Sequence, residues 1–432
     1  MFPRRLGLRP PSAGMFLRDH RGRLIANVSS PVYALLAYVL LSYFPYLVPM
    51  EYMAIIKIVD PLQHTLNCLV LGGVLLGLYV LYGAITAPTF DPRPQRFSAS
   101  HLEALRVAML SLMWLGVVAN ALVLAYSVPH YRGSVFDIKD AMANLEGVNI
   151  LTQSYLFAIG PYIYLCVVSG KPYRKVLVAL GVVLLLRALL MAERLALLEF
   201  MVPLLVVLSL LRQMFIPAAR LALIGVAVPV LFVIAEIFRS FYAKFVEDTG
   251  WAHLDIGFVL QWNLERLALY YTDVTNKSYF IMNEQFFHIT EYWSSGVLRM
   301  IGRFTGYIPE KNNAVNFFAH QFDVGNEEMT NPGGLAMLMS DFGWWGFAVL
   351  LAFILSMFLT HWRAAKGHIL SLGLYPILFL NFLELPRIVY IYNSRAIFPL
   401  LLFFAAYFAA VNYARPGLFR PSVRVPDPHH GA

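Results

Sequence analysis

Arg187, Arg194, Arg239, Arg387 and Arg395 each stand at the end of an apolar run of membrane-crossing length. A charged side chain at such a place costs free energy unless it meets water or a partner. The planar guanidinium fork binds phosphate oxygens in pairs and stays charged at any physiological pH. The chemistry these residues would serve is the binding of a phosphate or diphosphate. The long stretch 238–336 adds Arg266 and Arg303, together with Trp251, Trp262, Tyr270, Tyr271 and Trp293, whose rings can stack on sugars. Proton acceptors for a group-transfer step are His320 and Asp323, in the polar segment 311–330, and Glu193, between Arg187 and Arg194 in an apolar context. His320 leads because an ordinary imidazole is largely neutral, and so basic, near neutral pH. Phosphate-binding arginines beside sugar-stacking rings at a membrane surface point to a lipid-linked glycan.

Each feature has a plainer reading. Glu193 can pair with Arg187 or Arg194, and tryptophans and tyrosines collect at membrane interfaces without any ligand. Asn331-Pro332-Gly333-Gly334 is a turn followed at once by a helix start. Its backbone amides either only begin that helix or face an anion, as helix N-termini do.

The elements that must position these residues follow from composition. Hydrophobic residues make up 59% of the 432 residues and charged residues 13%, with a mean hydropathy of +0.64. That leaves too little polar surface for a soluble fold. The apolar runs are near the ~20 residues that cross a bilayer as a helix, and they exclude a transmembrane barrel, whose strands alternate in shorter pieces. The expected fold is all-α, a polytopic membrane protein with about ten transmembrane helices: 31–49, 65–85, 105–128, 151–168, 176–190, 195–211, 221–237, 337–359, 369–382 and 396–411. The run 176–211 reads as a hairpin turning near 192–194, since one helix of that length would overshoot the bilayer.

Residues 1–30 form a basic leading segment, 31–237 hold the first seven helices, 238–336 a large loop, 337–412 the last three helices and 413–432 a tail. Short connections rich in Lys and Arg stay cytoplasmic. With Arg93, Arg96, Lys171, Arg174, Lys175, Arg212, Arg220, Arg363 and Lys366 on that side, both termini are expected in the cytoplasm and the large loop outside, bearing short amphipathic helices over 258–269 and 286–300. Cys68 and Cys166 fall in apolar runs and imply neither a disulfide nor a metal site.

The arginine-bearing hairpin, the long late loop and the run 331–347, NPGGLAMLMSDFGWWGF, resemble the bacterial oligosaccharide repeat-unit polymerases, the Wzy-type O-antigen polymerases. The resemblance covers 176–404. It implies a multi-pass protein of the bacterial inner membrane that acts in lipopolysaccharide or related polysaccharide biosynthesis. The reaction would be a metal-independent glycosyl transfer at the periplasmic face, with no cofactor: a growing glycan leaves its undecaprenyl diphosphate for the terminal hydroxyl of an incoming lipid-linked repeat unit. The implied partners are undecaprenyl-diphosphate-linked glycans, membrane lipids and a chain-length regulator, with no nucleic acid. Arg187, Arg194, Arg239, Arg266, Arg303, Arg387 and Arg395 would hold diphosphate and glycan, and His320, Glu193 or Asp323 would take the proton. An O-antigen ligase-type transferase would use the same donor with another acceptor. A transporter or flippase of lipid-linked sugars would use arginines and aromatics without catalysis, but internal repeats and helices broken at midplane would then be expected.

Overall fold

The computed structural model describes residues 16–18, 24–43, 48, 51, 60, 61–86, 97–130, 138, 141–142, 145–191, 194–211, 216–220, 223, 230, 255–285 and 333–413. These residues are overwhelmingly helical. The helices are α1 (Pro31–Tyr43), α2 (Pro61–Thr86), α3 (Ala99–Ser127), α4 (Glu146–Leu151), α5 (Ile159–Val168), α6 (Arg174–Leu190) and α7 (Arg194–Leu210). After them come α8 (Ile256–Asn283), α9 (Gly334–Phe342), α10 (Gly346–Ala365), α11 (Ile369–Glu384) and α12 (Ser394–Tyr413). A small antiparallel sheet joins β1 (Phe16–Arg18), β2 (Leu24–Ala26) and β3 (Ile216–Pro217), in that order.

Four helical stretches among the described residues are long and apolar enough to cross a membrane: Leu62–Gly83, Ala99–His130, Gly334–Ala365 and Ser394–Tyr413. Burial agrees with that reading. Helix α3 buries Leu105, Met109, Leu112, Met113, Gly116, Asn120, Val123 and Ser127, one stripe at helical spacing. Its opposite face leaves Val107, Trp114, Val118 and Leu122 exposed. A helix apolar on both faces but covered on one is a helix whose other face meets lipid. Lipid is as apolar as leucine, so packing shape, small residues and polar contacts between helices must hold such a bundle together.

Helix α11 is the shared wall of the bundle, packed against α1, α5, α7 and α10. On one side lies a core built from α3, α5, α6, α7 and α12; on the other, a core built from α1, α2, α9 and α10. Gly160 of α5 lets α11 approach so closely that any Cβ there would collide with the Leu372 carbonyl.

The 176–211 hairpin is present as α6 and α7, which pack on each other and are joined through Met191 and the two residues after it. Three expectations are corrected. The run 151–168 is not one helix: hydrogen-bonded turns occupy 152–158 between α4 and α5. Thr152 and Ser154 have side chains that donate to the carbonyls of Asn149 (2.6 Å) and Leu112 (3.0 Å). Asn120 Nδ2 donates to Thr152 O at 2.8 Å. Non-helical backbone survives at membrane depth only when protein groups satisfy it, and here 152–158 is fully enclosed.

The second correction concerns the late loop. In place of a short helix over 258–269 there is a single helix of 28 residues, α8, started by Asp255, whose carboxylate accepts from Phe258 N at 3.0 Å. It extends past the apolar segment because its buried face also takes Thr272, Asp273, Asn276, Lys277 and Ser278. Third, the helix expected from 337 is broken at Gly343, whose φ of 57° only glycine adopts freely, and it resumes as α10. Apart from residues 223 and 230, the span 221–237 lies outside the described residues, as do the second loop helix and most of both termini.

Candidate functional site

Among the described residues, connectivity gathers the helix ends near Arg187, Arg194, Arg387 and Arg395 at one end of the bundle. Helix α6 finishes beside the start of α7. The start of α12 is tied to α7 by Arg395, whose Nε and Nη2 donate to Glu199 Oε1 (2.9 Å) and Oε2 (3.0 Å). Glu199 is fully buried and also accepts from the Tyr390 hydroxyl at 2.8 Å. A buried carboxylate held by a fork and a phenol is a completed structural joint. Much of Arg395's charge is spent on it.

Arg387 follows α11 and donates from Nη1 to Glu384 Oε2 at 3.0 Å. Its guanidinium lies over the ring of Tyr270 of α8, 5.8 Å from the centroid. Its buried Nε has no hydrogen-bond partner among the described residues. Of the arginines at this end, Arg387 combines an aromatic backing with an unmet donor, which suits it to an incoming anion.

The turn that carries Arg387 is fixed by the glycine motif. Gly333 N donates to Arg387 O at 2.8 Å and Gly334 N to Leu385 O at 3.1 Å. Gly333 has φ 88°, and a Cβ there would sit 2.9 Å from Val274 O of α8. On Gly334 a Cβ would overlap Leu385 O. The amides expected to face an anion are therefore used internally, and the glycines let α8, α9 and the 385–387 turn meet at one point. Asp341 of α9 lies close by: burial and its negative charge hold the Tyr392 hydroxyl well above its ordinary range. In α8, Lys277 and Asp273 form a buried ion pair at 2.5 Å.

Arg187 is fully buried at the end of α6. Its Nη1 donates to Asn120 Oδ1 at 2.8 Å and its Nη2 to Asn149 Oδ1 at 3.1 Å. Because Asn120 also holds Thr152 O, Arg187 belongs to the network that supports the interrupted helix between α4 and α5. Arg194 opens α7, with its side chain outside the described set; Arg266 lies half-buried with its guanidinium 5.3 Å from the centroid of Trp262. Glu193, Arg239, Arg303, His320 and Asp323 lie outside the described residues. Sequence reasoning passed over Glu199, Glu384, Asp341 and the Asp273–Lys277 pair. The signal for Glu199 was an acid inside the apolar run 195–211, and for Glu384 it was the three-residue spacing to Arg387 that places both on one face.

Beside the 385–387 turn is a cavity of about 590 Å³, bounded by α1, α2, α8 and the α9–α10 break. Its floor is a chain of neutral polar groups. Asn67 Nδ2 donates to the Tyr279 hydroxyl at 2.7 Å, that hydroxyl lies 3.2 Å from His64 Nδ1, and His64 Nε2 lies 2.9 Å from Ser42 O.

In comparisons with known proteins, no family model, no curated protein and no solved structure matches this chain.

Proposed function

We propose that this protein is a multi-pass glycosyltransferase of the bacterial inner membrane that polymerises undecaprenyl-diphosphate-linked oligosaccharide repeat units at the periplasmic face, in the manner of the Wzy-type polymerases. The observation that carries this reading is Arg387, with an unmet Nε and the aromatic face of α8 laid against its guanidinium, at the end of an apolar bundle where the α6–α7 hairpin turns. The described connections at the other end hold Lys171, Arg174, Lys175, Arg363 and Lys366, the basic face that short cytoplasmic connections carry. The arginine end is then periplasmic.

A sugar diphosphate is already activated. The protein has to align donor and acceptor, stabilise the diphosphate that departs and accept a hydroxyl proton. The acceptor oxygen bonds to the anomeric carbon as the bond to diphosphate breaks, and the charge that grows on the diphosphate is met by arginine. Arg387, with an unmet Nε and an aromatic backing, is the arginine best suited to this role, and Arg194, Arg239, Arg266 and Arg303 are the further cations assigned to it from the sequence. His320, Asp323 or Glu193 takes the proton.

Reconstitution tests the reading. Purified protein in liposomes, given lipid-linked single repeats, should yield a ladder of longer lipid-linked glycans, and Arg387→Lys should cut the yield about tenfold or more, since an ammonium lacks the fork. A preparation that folds but returns only single repeats would overturn it.

A further inference from the structure

The cavity beside the 385–387 turn has a lining that separates it from the arginine site. Its walls are Tyr38, Tyr279, Trp344, Phe347 and aliphatic side chains of α2 and α8; its polar groups are Ser42, Gln63, His64, Asn67, Thr275, Ser278 and Asn283. Among the described residues that line it, no side chain carries a formal charge. A phosphate would find no cation there, and a cation no carboxylate.

The polar floor is ordered. Ser42 offers a carbonyl oxygen, which only accepts, so His64 Nε2 carries the hydrogen, and Nδ1 of the neutral ring accepts from the Tyr279 hydroxyl. Asn67 donates to the same hydroxyl. The phenol oxygen, which accepts from Asn67 and donates to His64, keeps one lone pair for a further donor. Tyr279 and Asn67 belong to different helices, so the chain also fixes α8 on α2.

One side of the cavity opens on lipid-facing surface. Val70 and Val74 of α2 are exposed by 68% and 55%, and Trp344 at the α9–α10 break by 56%. A ligand can thus arrive from within the bilayer with its chain on the aliphatic wall and its head on the polar floor. Neutral hydroxyl-binding groups beside flat rings, in a volume of the size that small ligands fill, match a sugar.

We infer that this cavity is the seat of the uncharged, hydroxyl-rich sugar of the acceptor lipid, a second substrate subsite next to the arginines. It rests on the transferase reading above and deepens it. Leu385 and Pro386 line the cavity while Arg387, next in sequence, carries the anion-binding donor. The turn clamped by Gly333 and Gly334 therefore forms the wall between the two subsites. A ligand pair placed on its two sides would bring an acceptor hydroxyl and a donor diphosphate to the same structural feature.

Two measurements test this. Binding of octyl glycosides with uncharged heads to the protein in nanodiscs should weaken about tenfold in Asn67→Ala and in Trp344→Ala, while octyl phosphate competes only weakly. In the reconstituted reaction with a preformed long-chain donor and single-repeat acceptor, Tyr279→Phe, which keeps the ring, and Asn67→Ala should raise the acceptor concentration for half-maximal rate about tenfold and leave that of the donor unchanged. Glycoside binding indifferent to both substitutions, or equal shifts for donor and acceptor, would overturn the subsite while wild-type extension still upheld the transferase. Wild type that binds glycosides in the cavity but extends nothing would overturn the transferase and the acceptor role and leave a sugar-binding cavity.

Discussion

The Glu199–Arg395 joint shows why a charged residue in an apolar run need not be a ligand site. Glu199 is fully enclosed, so deleting Arg395 removes the cation that balances a buried carboxylate. Arg395→Ala should destabilise the protein by about 3–5 kcal/mol, the usual consequence of stranding one member of a buried pair. Adding Glu199→Gln should return a large part of the loss, because the amide oxygen still accepts from Tyr390; thermal unfolding in detergent reads both. Arg187 poses the same question through its contacts with Asn120 and Asn149. Arg187→Lys loses the fork whose two arms reach Asn120 and Asn149, and should cost about 1–3 kcal/mol of stability. An unchanged unfolding temperature would detach Arg187 from the interrupted helix and return it to the list of substrate contacts. The positions of these arginines at helix ends were legible in the sequence. Their partners were not, because Asn120, Asn149 and Glu199 come from helices whose neighbours only the packed bundle decides.

At the scale of elements, the outcome turns on the meeting of α8, α9 and the 385–387 turn. The sequence signalled a turn and a helix start at Asn331-Pro332-Gly333-Gly334, and α9 does begin at Gly334. What it did not signal is that the amides are consumed by Leu385 and Arg387. Gly334→Ala should therefore destabilise or misassemble this end, since a Cβ overlaps a carbonyl, whereas Gly72→Ala of α2, with nothing within 4 Å of its Cβ, should be neutral or slightly stabilising. Equal unfolding temperatures for the two variants would contradict the junction. Periodicity foresaw α3, the α6–α7 hairpin and α12 well, because each is long and apolar. It failed over 151–168, where Thr152 and Ser154 redirect the backbone, and over 256–283, where a helix with a polar buried face gives no apolar stripe to read.

For the whole molecule, four long apolar helical stretches among the described residues and the exposed apolar faces of the bundle mark a membrane protein, and composition alone announced as much. Orientation is a separate question that labelling answers. In a background lacking Cys68 and Cys166, Glu284→Cys at the end of α8 should react with a membrane-impermeant thiol reagent in intact cells whose outer membrane is permeabilised. Lys175→Cys, at the other end of the bundle, should react only after lysis. The reverse pattern would put the arginine end in the cytoplasm, where the proposed lipid-linked substrates of a periplasmic polymerase are not exposed.

The central claim is that donor and acceptor glycans are joined at the arginine end, and the lipid-linked glycan profile of cells lacking the protein tests it most directly. Single repeat units should accumulate on their carrier, with the long chains of the parent strain gone and restored by the wild-type protein but not by Arg387→Lys. Long carrier-linked chains that persist in the deletion strain and fail only to reach their final acceptor would contradict a polymerase and identify a ligase.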